Sequence, residues 1–389
     1  MKKVIIIIDS LGSGGAEKSL INLLSLIDYS KFNVDLALFG RGGINEKFVP
    51  DEVNILPLIH PSATGNPLKR LGLRMAQLAF SISLRINKPK TSNDQAIRYW
   101  KYFKNYLPPL NNNYDVAFAY AQRIPTIFTA KKVKAQHKFA WINVTIHHNS
   151  RLRNFYLKSF KEFKKIICVS KDVEETVVES YPELKDKTKV IYDIINPGFI
   201  KGLSNEYIPF LKEDSTIDIL TVARLNFRQK GYDILLKACR ILKEKGYKFV
   251  WRALGNGDKE NKIRELIEIY GLEGYFELCG VNSNPYPYFA HSDLYVQTSR
   301  YEGYGLSIAE ARLLGLPVVS TPYDCVNLQI KDGENGIIST FNPEDIAASI
   351  ANLIDNTKKY DTIKKNLEKD KIGNLEEFSK IDYLLNYED

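Results

Sequence analysis

The sequence predicts an α/β protein made of two successive Rossmann-like domains, each a doubly wound parallel sheet. Two observations lead to this prediction. Short apolar strands alternate with amphipathic helices in two separate series, and Pro, Gly, Ser and Asn residues gather between the series, from residue 196 to residue 209. A chain of 389 residues that is 44% hydrophobic is long enough to bury two cores. We expect the two domains to face a central cleft.

The first series starts with the apolar run Val4–Ile8. Runs without alternating polar residues are typical of strands buried on both faces of a parallel sheet. The preceding Met1-Lys2-Lys3 resembles the start of a signal peptide, but the run is short and Asp9 ends it, so we interpret it as the first strand. A helix at Glu17–Leu26 and strands at Val34–Phe39, Val116–Tyr120 and Ile166–Val169 follow. Residues 1–200 are predicted to form this N-terminal domain.

The second series begins with the strand Ile217–Val222. It continues with helices at Tyr232–Lys245 and Asn261–Tyr270, strands at Phe249–Ala253, Tyr275–Leu278 and Leu294–Gln297, a helix after Glu302 and a strand at Val318–Ser320. Residues 201–370 are predicted to form the C-terminal domain. Residues 371–389 are predicted to form a helix that packs back on the N-terminal domain.

A basic insertion, at about residues 62–110, interrupts the first series. Residues 68–104 carry nine Lys or Arg residues and a single acid, Asp94. Apolar residues recur at helical spacing, and an aromatic cluster follows them: Leu71, Met75, Leu78, Ala79, Ile82 and Ile86, then Tyr99, Trp100, Tyr102, Phe103 and Tyr106. Two interpretations stay open. The helix lies on an anionic membrane surface, or it covers the sheet and keeps its charges in water.

Composition narrows the class of protein further. The net charge of +8 fits nucleic acid, anionic lipid or a basic surface, but no nucleic-acid recognition motif accompanies the basic residues, so nucleic acid is not an expected partner. No apolar run reaches the roughly 18 residues that span a bilayer, and we expect a soluble or peripheral protein. The cysteines are Cys168, Cys239, Cys279 and Cys325. Their wide spacing predicts neither disulfides nor a metal site, and a cytoplasmic location fits.

The most informative motif lies at residues 300–317, where Glu302 and Glu310 stand on either side of a glycine-bounded helix start. Gly303 and Gly305 permit a tight loop, and the apolar spacing predicts a short helix from Leu306. The N-terminus of a helix suits a phosphate, and carboxylates beside it can accept hydrogen bonds from sugar hydroxyls. The motif therefore indicates a site for a polyhydroxylated, anionic ligand.

Two glycine turns follow predicted strands. Gly14 and Gly15 come directly after the first strand and would let the backbone approach a phosphate, although an ordinary tight turn is an equal alternative. Glu17 stands where the third glycine of a dinucleotide fingerprint belongs, which disfavours a nicotinamide or flavin cofactor. Gly255 and Gly257, after a later strand, could contact a nucleotide base or ribose through main-chain groups, although a plain turn is the simpler interpretation.

Two cations follow the first strand of the second series. Arg224 and Lys230 come after Ile217–Val222, and the carboxyl ends of strands face the crevice in a doubly wound sheet. They can therefore point at a diphosphate and stabilise its charge as it leaves, without a metal. The alternative is a pair of solvated surface residues.

Together these motifs resemble the retaining glycosyltransferases of family four, which have the GT-B fold, and among them bacterial cell-surface polysaccharide glycosyltransferases. The residues that carry the resemblance are Gly14 to Glu17, Arg224, Lys230-Gly231, Gly255 to Gly257, Glu302 to Glu310, Pro317-Val-Val and Asp332 to Gly336. The resemblance implies a nucleotide-sugar donor, a UDP-sugar, held by the C-terminal domain and an acceptor held by the N-terminal domain.

Carried over by position, the resemblance places Glu310 on the ribose and Glu302 near the transferred sugar. Arg224 and Lys230 would hold the diphosphate, and Tyr304, Gly305 and Leu306 would approach the phosphates from one side and Gly14 and Gly15 from the other. Retention would then proceed by front-face attack. The chain has no Asp-x-Asp, which agrees with transfer that needs no metal or cofactor beyond the nucleotide-sugar.

The chain departs from the family in the N-terminal domain. Relatives often carry a histidine after a Trp-Ile pair, but here Trp141-Ile142 leads to Asn143, which can bind a sugar hydroxyl but cannot act as a base. His147 and His148 are the candidates for the missing imidazole. In the C-terminal domain, Gln329 stands where relatives often have an acid.

These observations predict a retaining transferase that moves a sugar from a UDP-sugar to a cell-surface glycan precursor or a lipid-linked acceptor. It would work in the cytoplasm, on the inner face of the cell membrane. Two alternatives stay open: a nucleotide-sugar epimerase of the same fold, and a non-catalytic glycan-binding subunit of a glycosylation complex.

Overall fold

The chain folds into two compact units. The computed structural model describes residues 1–63, 66–146, 149–370 and 373–388. The first unit comprises Met1–Tyr192 and Glu376–Asp389, and the second comprises Asp193–Leu375.

The first unit is an α/β layer structure. Its strands are β1 Lys2–Ile8, β2 Phe32–Leu38, β3 Asn54–Ile55, β4 Leu110–Ala119, β5 Val133–Ile142, β6 Lys165–Cys168 and β7 Thr188–Val190, and its helices before residue 192 are α1 Gly15–Leu24, α2 Pro67–Ile86, α3 Ser92–Phe103, α4 Ile124–Lys132, α5 Ser150–Phe160 and α6 Lys171–Ser180. In the described residues the strands form one seven-stranded sheet in the order β3-β2-β1-β4-β5-β6-β7. All pairings are parallel, and Val4–Ile8 is fully buried, as its uninterrupted apolar run predicts.

The second unit repeats this architecture. Its elements are α7 Pro197–Ser204, β8 Ile217–Val222, α8 Phe227–Lys230, α9 Tyr232–Glu244, β9 Phe249–Leu254, α10 Glu260–Ile269, β10 Phe276–Gly280, α11 Tyr286–His291, β11 Leu294–Gln297, α12 Leu306–Leu313, β12 Val318–Ser320, β13 Ile337–Ile338, α13 Pro343–Asp355 and α14 Thr357–Lys369. Where the structure describes it, the sheet has six parallel strands in the order β10-β9-β8-β11-β12-β13. Two doubly wound parallel sheets are the fold class that the sequence predicts.

The chain passes between the units near residue 192 and again near residue 375. Residues 193–200 belong to the second unit, where Ile195 and Ile200 pack in one core cluster with Leu220 of β8. The last helix, α15 Leu375–Leu385, lies almost entirely in the first unit. There Glu377 accepts a hydrogen bond from the backbone N–H of Tyr192 at 3.0 Å.

Helix α2 differs from the other long helices because none of its twenty residues is buried. Asn66 caps its N-terminus by accepting hydrogen bonds from the N–H groups of Leu68 and Lys69. Helix α3 supports it: the Phe80 ring packs against Tyr99, Tyr102 and Phe103 at centroid distances of 6.1, 5.9 and 5.1 Å. The helix is thus formed as predicted, but none of its side chains is buried against the sheet.

Six large apolar side chains of α2 are exposed, by 44% to 81% of their surface: Leu68, Leu71, Met75, Leu78, Ile82 and Ile86. Their spacing of three or four residues places them on one face of the helix. Within the described residues, no helix is long and apolar enough to cross a membrane.

Candidate functional site

The candidate donor site lies at the carboxyl edge of the second sheet. In the order of this sheet, β9 and β11 lie on opposite sides of β8, so the chain reverses its winding direction at this strand. Ligands of open α/β sheets bind at such a switch point. The loops that follow β8, β9 and β11 carry Arg224, the Gly255–Gly257 turn and Glu302.

Glu302 is held by three side-chain donors. The Nζ of Lys230 lies 2.6 Å from Glu302 Oε1, and both side chains are largely buried, with exposures of 16% and 9%. The same oxygen accepts hydrogen bonds from Ser299 Oγ at 2.6 Å and Gln297 Nε2 at 3.3 Å. The carboxylate is therefore fixed in position, and the cation that faces it is shielded from bulk water.

The ion pair exists because two loops dock on each other. Gly231 has a left-handed φ of 65°, and a Cβ there would collide with the carbonyl oxygen of Thr298. Thr298 Oγ1 donates to the carbonyl of Lys230 at 2.9 Å, and the guanidinium of Arg300 donates to both oxygens of Asp233 at 2.9 and 2.7 Å. Only glycine adopts this φ at no steric cost, so Gly231 allows the Lys230 loop to pack closely against the backbone of Thr298.

The helix start predicted between the two glutamates is present. Gly305 is the N-cap of α12 with φ 87°, and no side chain caps the helix. Behind this turn lie Tyr323 and Gln329, and the Nε2 of Gln329 donates to the carbonyl oxygens of Tyr304 and Gly305. The carbonyl groups of the turn thus have a partner, while the N–H groups of the first helical turn are the kind that binds phosphate.

Glu310 lies on α12 with 1% of its surface exposed. Its Oε1 accepts a hydrogen bond from the hydroxyl of Tyr286, in α11, at 3.1 Å. The start of the same helix is joined to β8, because Ser307 Oγ donates to the carbonyl oxygen of Val222 at 3.1 Å. The two glutamates therefore have different surroundings: Glu302 faces a lysine, and Glu310 faces a tyrosine hydroxyl.

Arg224 is exposed at the same edge, and its guanidinium has no hydrogen bond or ion pair with any residue that the structure describes. The glycine turn after β9 packs on the backbone next to it. A Cβ at Gly255 would collide with Ala223 O, and one at Gly257 with Leu225 O. The backbone N–H of Leu225 donates to Asn256 O at 2.9 Å. The two glycines thus have a steric role that fixes the Arg224 loop.

In the first unit, Gly14 is the N-cap of α1, and Gly15 is its first residue. A Cβ at Gly14 would collide with the carboxylate of Glu17, which therefore lies over the turn. A carboxylate at a helix N-terminus occupies the place that a phosphate would take. Phosphate binding by Gly14 and Gly15 stays a prediction, and it requires Glu17 to move aside.

Asn143 directly follows β5, at the carboxyl edge of the first sheet. Its Nδ2 donates to the carbonyl oxygen of Tyr120 at 3.0 Å, whereas its Oδ1 is buried and has no hydrogen-bond partner among the described residues. His147 and His148, the other acceptor-side candidates, lie outside the described residues.

Several residues of the site were not predicted. Gln297 and Ser299, which hold Glu302, stand at and just beyond the end of β11, and Tyr286 approaches Glu310 from a short helix. The usable signal was the polar run Gln297-Thr298-Ser299 after an apolar strand, because strand carboxyl ends face the crevice. In the part of the chain that the structure describes, no cluster of three or more His, Cys, Asp or Glu side chains could hold a metal ion.

Comparison with protein families and with relatives gives consistent matches. Residues 206–370 match the family model described as glycosyl transferases group 1. The uncharacterized glycosyltransferase MJ1059 of Methanocaldococcus jannaschii is 33% identical over 175 residues, which are 43% of this chain and 42% of that protein. The chain thus spans less than half the length of that relative.

Two further similarities extend over most of the chain. The N-acetylgalactosamine-N,N'-diacetylbacillosaminyl-diphospho-undecaprenol 4-alpha-N-acetylgalactosaminyltransferase of Campylobacter jejuni is 26% identical over 337 residues, which are 83% of this chain and 81% of that protein. The crystal structure of Anabaena Alr3699/HepE, in complex with UDP and glucose, superposes with a TM-score of 0.72 at 19% identity and covers 99% of this chain and 100% of its own. The likeness confirms the predicted fold class.

Proposed function

We propose that this chain, whose residues 206–370 match the family model of glycosyl transferases group 1, transfers a sugar from a UDP-sugar to a glycan acceptor with retention of configuration. The second unit holds the donor, and the first unit holds the acceptor. HepE was crystallised with UDP and glucose, which supports uracil as the base of the donor. The name of the Campylobacter relative specifies a diphospho-undecaprenol-linked sugar, which supports a lipid-linked acceptor.

The observation that carries the proposal is the shielded Lys230–Glu302 pair at the same sheet edge as exposed Arg224. A nucleoside diphosphate leaves with additional negative charge, and fixed cations in a site of low water content stabilise that charge strongly. Arg224 and Lys230 supply the cations, and the uncapped start of α12 supplies N–H groups. No metal ion is needed for this stabilisation.

The contacts of Glu302 support retention without a covalent intermediate. A carboxylate that is ion-paired and accepts two further hydrogen bonds at the same oxygen is a poor nucleophile and a poor base. We assign it instead to hold Lys230 and to contact the transferred sugar. The acceptor hydroxyl then attacks from the face that the diphosphate leaves, and the departing phosphate oxygen takes its proton.

The first test is a thermal-shift panel of UDP, GDP, ADP and CDP. A ligand at a hundred times its dissociation constant stabilises the folded state by about 2.7 kcal/mol, which raises Tm by several degrees in a protein of this size. We expect UDP to give the largest shift. If none of the four nucleotides raises Tm, the proposed function is wrong.

Product analysis distinguishes the alternatives. UDP-glucose, UDP-galactose and their N-acetylamino analogues are incubated with the protein, alone and with a polyprenyl-diphosphate-linked sugar. A transferase releases UDP slowly without acceptor and rapidly with it, whereas an epimerase interconverts the UDP-sugars without acceptor. A non-catalytic subunit binds UDP and does neither.

We further propose that the protein works in the cytoplasm at the inner face of the membrane, docked through α2. The six exposed apolar residues of this helix form one face, and Lys69, Arg70, Arg74 and Arg85 provide positive charge without any acid in the helix. An apolar face flanked by cations is complementary to an anionic lipid surface. The Arg98 guanidinium supports the end of the helix by donating to the carbonyl oxygens of Ser83 and Asn87.

Vesicle sedimentation tests this docking. We expect binding to vesicles that contain anionic lipid and a loss of at least tenfold for the double variant Leu71→Asp/Leu78→Asp, since each leucine contributes about 1.5–3 kcal/mol when it is buried in the acyl region. The matched control is Leu211→Asp/Ile269→Asp, the same charge change at exposed apolar residues of the second unit. Equal losses in both double variants, or binding that is unchanged in the first, would contradict docking through α2.

A further inference from the structure

A second polar constellation lies at the carboxyl edge of the first sheet. In this sheet β2 and β4 lie on opposite sides of β1, so the winding direction reverses at β1. Asp9 directly follows β1, Arg123 follows β4 and immediately precedes α4, and Asn143 follows β5. All three therefore stand where an open α/β sheet binds its ligands.

Asp9 is a partly buried carboxylate without a hydrogen bond or ion pair to any side chain in the described ranges. Its carboxylate interacts electrostatically with two charged groups, the Arg123 guanidinium and the Glu17 carboxylate. Burial raises the pKa of Asp9 to about 6, against a smaller lowering by Arg123. A protein keeps such a group at a cost in stability, because an ionised carboxylate that leaves water needs donors. Hydroxyl groups of a ligand are suitable donors.

Arg123 has an unusual backbone conformation. Its φ of 69° and ψ of −118° lie outside the regions that a residue with a side chain favours, and it occupies the N-cap of α4 without capping it. Thr126 Oγ1 holds the preceding turn by donating to the carbonyl oxygen of Ala121 at 2.9 Å. The strain is thus maintained by the surrounding structure, and the guanidinium lies close enough to Asp9 to lower the pKa of its carboxyl.

The third member, Asn143, is tied to the same place by the backbone. The N–H of Tyr120 donates to Ile7 O at 2.9 Å, and Tyr120 O accepts from Asn143 Nδ2 at 3.0 Å. This links the ends of β1, β4 and β5. The Oδ1 of Asn143 is buried without a hydrogen-bond partner in the described residues. Together with the carboxylate of Asp9, it can accept a hydrogen bond from a ligand.

We propose that Asp9, Arg123 and Asn143 form the hydroxyl-binding site for the sugar of the acceptor. Asp9 and Asn143 Oδ1 accept hydrogen bonds from its hydroxyl groups, and Arg123 donates to a ring or hydroxyl oxygen. The inference rests on the proposed function, since it assigns the acceptor to these residues. With Asp9 and Glu17 negative and Arg123 positive, the site carries excess negative charge, which favours a neutral polyol over a phosphate.

The test uses saturation-transfer NMR with a panel of methyl glycosides, in the presence of UDP. We expect at least one glycoside to bind the wild type, and Asp9→Asn and Arg123→Gly each to weaken it by tenfold or more. Asp51→Asn, an exposed carboxylate of the same unit, is the matched control. Inorganic phosphate should not displace the glycoside. Unchanged binding in Asp9→Asn, or displacement by phosphate, overturns the inference.

The pH dependence provides a readout that a purely structural role would not change. Asp9 accepts hydroxyl hydrogen bonds best when it is ionised, so glycoside binding should weaken as the pH falls through about 6 in the wild type and stay level in Asp9→Asn. The other ionisable groups that face it are Arg123 before α4, Glu17 on α1 and the hydroxyl of Tyr156 on α5. A wild-type profile that matches the Asp9→Asn profile argues against the role of Asp9.

Two controls keep the outcomes separate. The UDP-induced Tm shift should be the same in Asp9→Asn and the wild type, because Asp9 is assigned to the acceptor. If UDP fails to bind the wild type, the proposed function fails. If UDP binds and the glycosides bind Asp9→Asn as well as the wild type, the acceptor assignment alone fails.

The stability of Asp9→Asn shows whether the variant is folded. We expect it to be at least as stable as the wild type at pH 7. The pKa of Asp9 is raised in the folded wild type, so the wild type loses stability as the pH rises through about 6, and Asp9→Asn does not.

Discussion

Lys230→Met is expected to lower kcat by about a hundredfold to a thousandfold, the effect of removing one fixed donor from the charge that develops in a transition state. Methionine keeps the apolar stem of the side chain and removes the ammonium group. The effect should be on kcat more than on KM, because the charge on the leaving diphosphate grows between the ground state and the transition state. The measurement is the rate of UDP release with saturating donor and acceptor.

Loss of stability is the competing explanation for that result. The Lys230 Nζ lies 2.6 Å from Glu302 Oε1 in a shielded pair, and removal of one partner from a buried pair costs about 3–5 kcal/mol. The double variant Lys230→Met/Glu302→Gln has no unpaired charge, so it should recover Tm without recovering kcat. Recovery of both would assign Lys230 to structure alone.

The matched control for this prediction is Lys237→Met. Lys237 is an exposed lysine of α9 in the same unit, and its replacement makes the same change in charge and shape. It should leave kcat and Tm near their wild-type values. A similar fall in kcat in Lys237→Met would point to a general effect of charge on the unit and not to Lys230.

The placement of the donor-side residues follows from the sequence to a large extent. Apolar strands of five or six residues are recognisable from their composition, and once a parallel sheet is predicted, the residues after each strand must share one edge. This is why the sequence predicts Arg224, Lys230, Gly255 and Glu302 at one edge. Their roles are not shown by this placement and stay proposals.

The pairing of these residues could not be predicted. Lys230 and Glu302 are 72 residues apart, and their contact depends on the left-handed Gly231 and on the close approach of Thr298 O. No local pattern encodes a contact between two loops. The burial of Glu310 against Tyr286 is similar, because a glutamate on a short helix reads as exposed until the neighbouring helix is known.

Local signals had two meanings at Asn196-Pro197, at the start of the second unit, and gave no warning at Arg123, in the first unit. The sequence Asn196-Pro197 is typical of a boundary between domains. In the structure Asn196 caps a helix by accepting hydrogen bonds from the N–H groups of Gly198 and Phe199, and Pro197 is the first residue of that helix. Arg123 is a stronger case. A glycine in the sequence suggests that a positive φ is possible at its position, but an arginine does not. The positive φ of Arg123 could therefore not be predicted from the sequence. Strain imposed by tertiary structure is thus the part that sequence patterns miss.

Glu310→Gln is expected to weaken UDP binding by about ten- to a hundredfold, since a hydrogen bond to a charged acceptor contributes about 1.5–3 kcal/mol. The proposed partners are the two ribose hydroxyls. Glutamine has the same size and still offers Tyr286 a carbonyl oxygen, so α12 should keep its packing. The measurement is the dissociation constant of UDP, with Tm recorded to show that the variant is folded.

Inorganic pyrophosphate separates the ribose role from a general disturbance of the site. Pyrophosphate presents the same two phosphates and no ribose, so Glu310→Gln should bind it as the wild type does, whereas Lys230→Met should bind it more weakly. Tyr286→Phe removes a hydroxyl that donates to Glu310 and keeps the carboxylate. This variant should therefore lower the affinity for UDP less than Glu310→Gln does. Equal weakening of UDP and pyrophosphate in Glu310→Gln would show that the carboxylate supports the phosphate-binding loop, because a loss confined to ribose contacts cannot change the affinity of a ligand that has none.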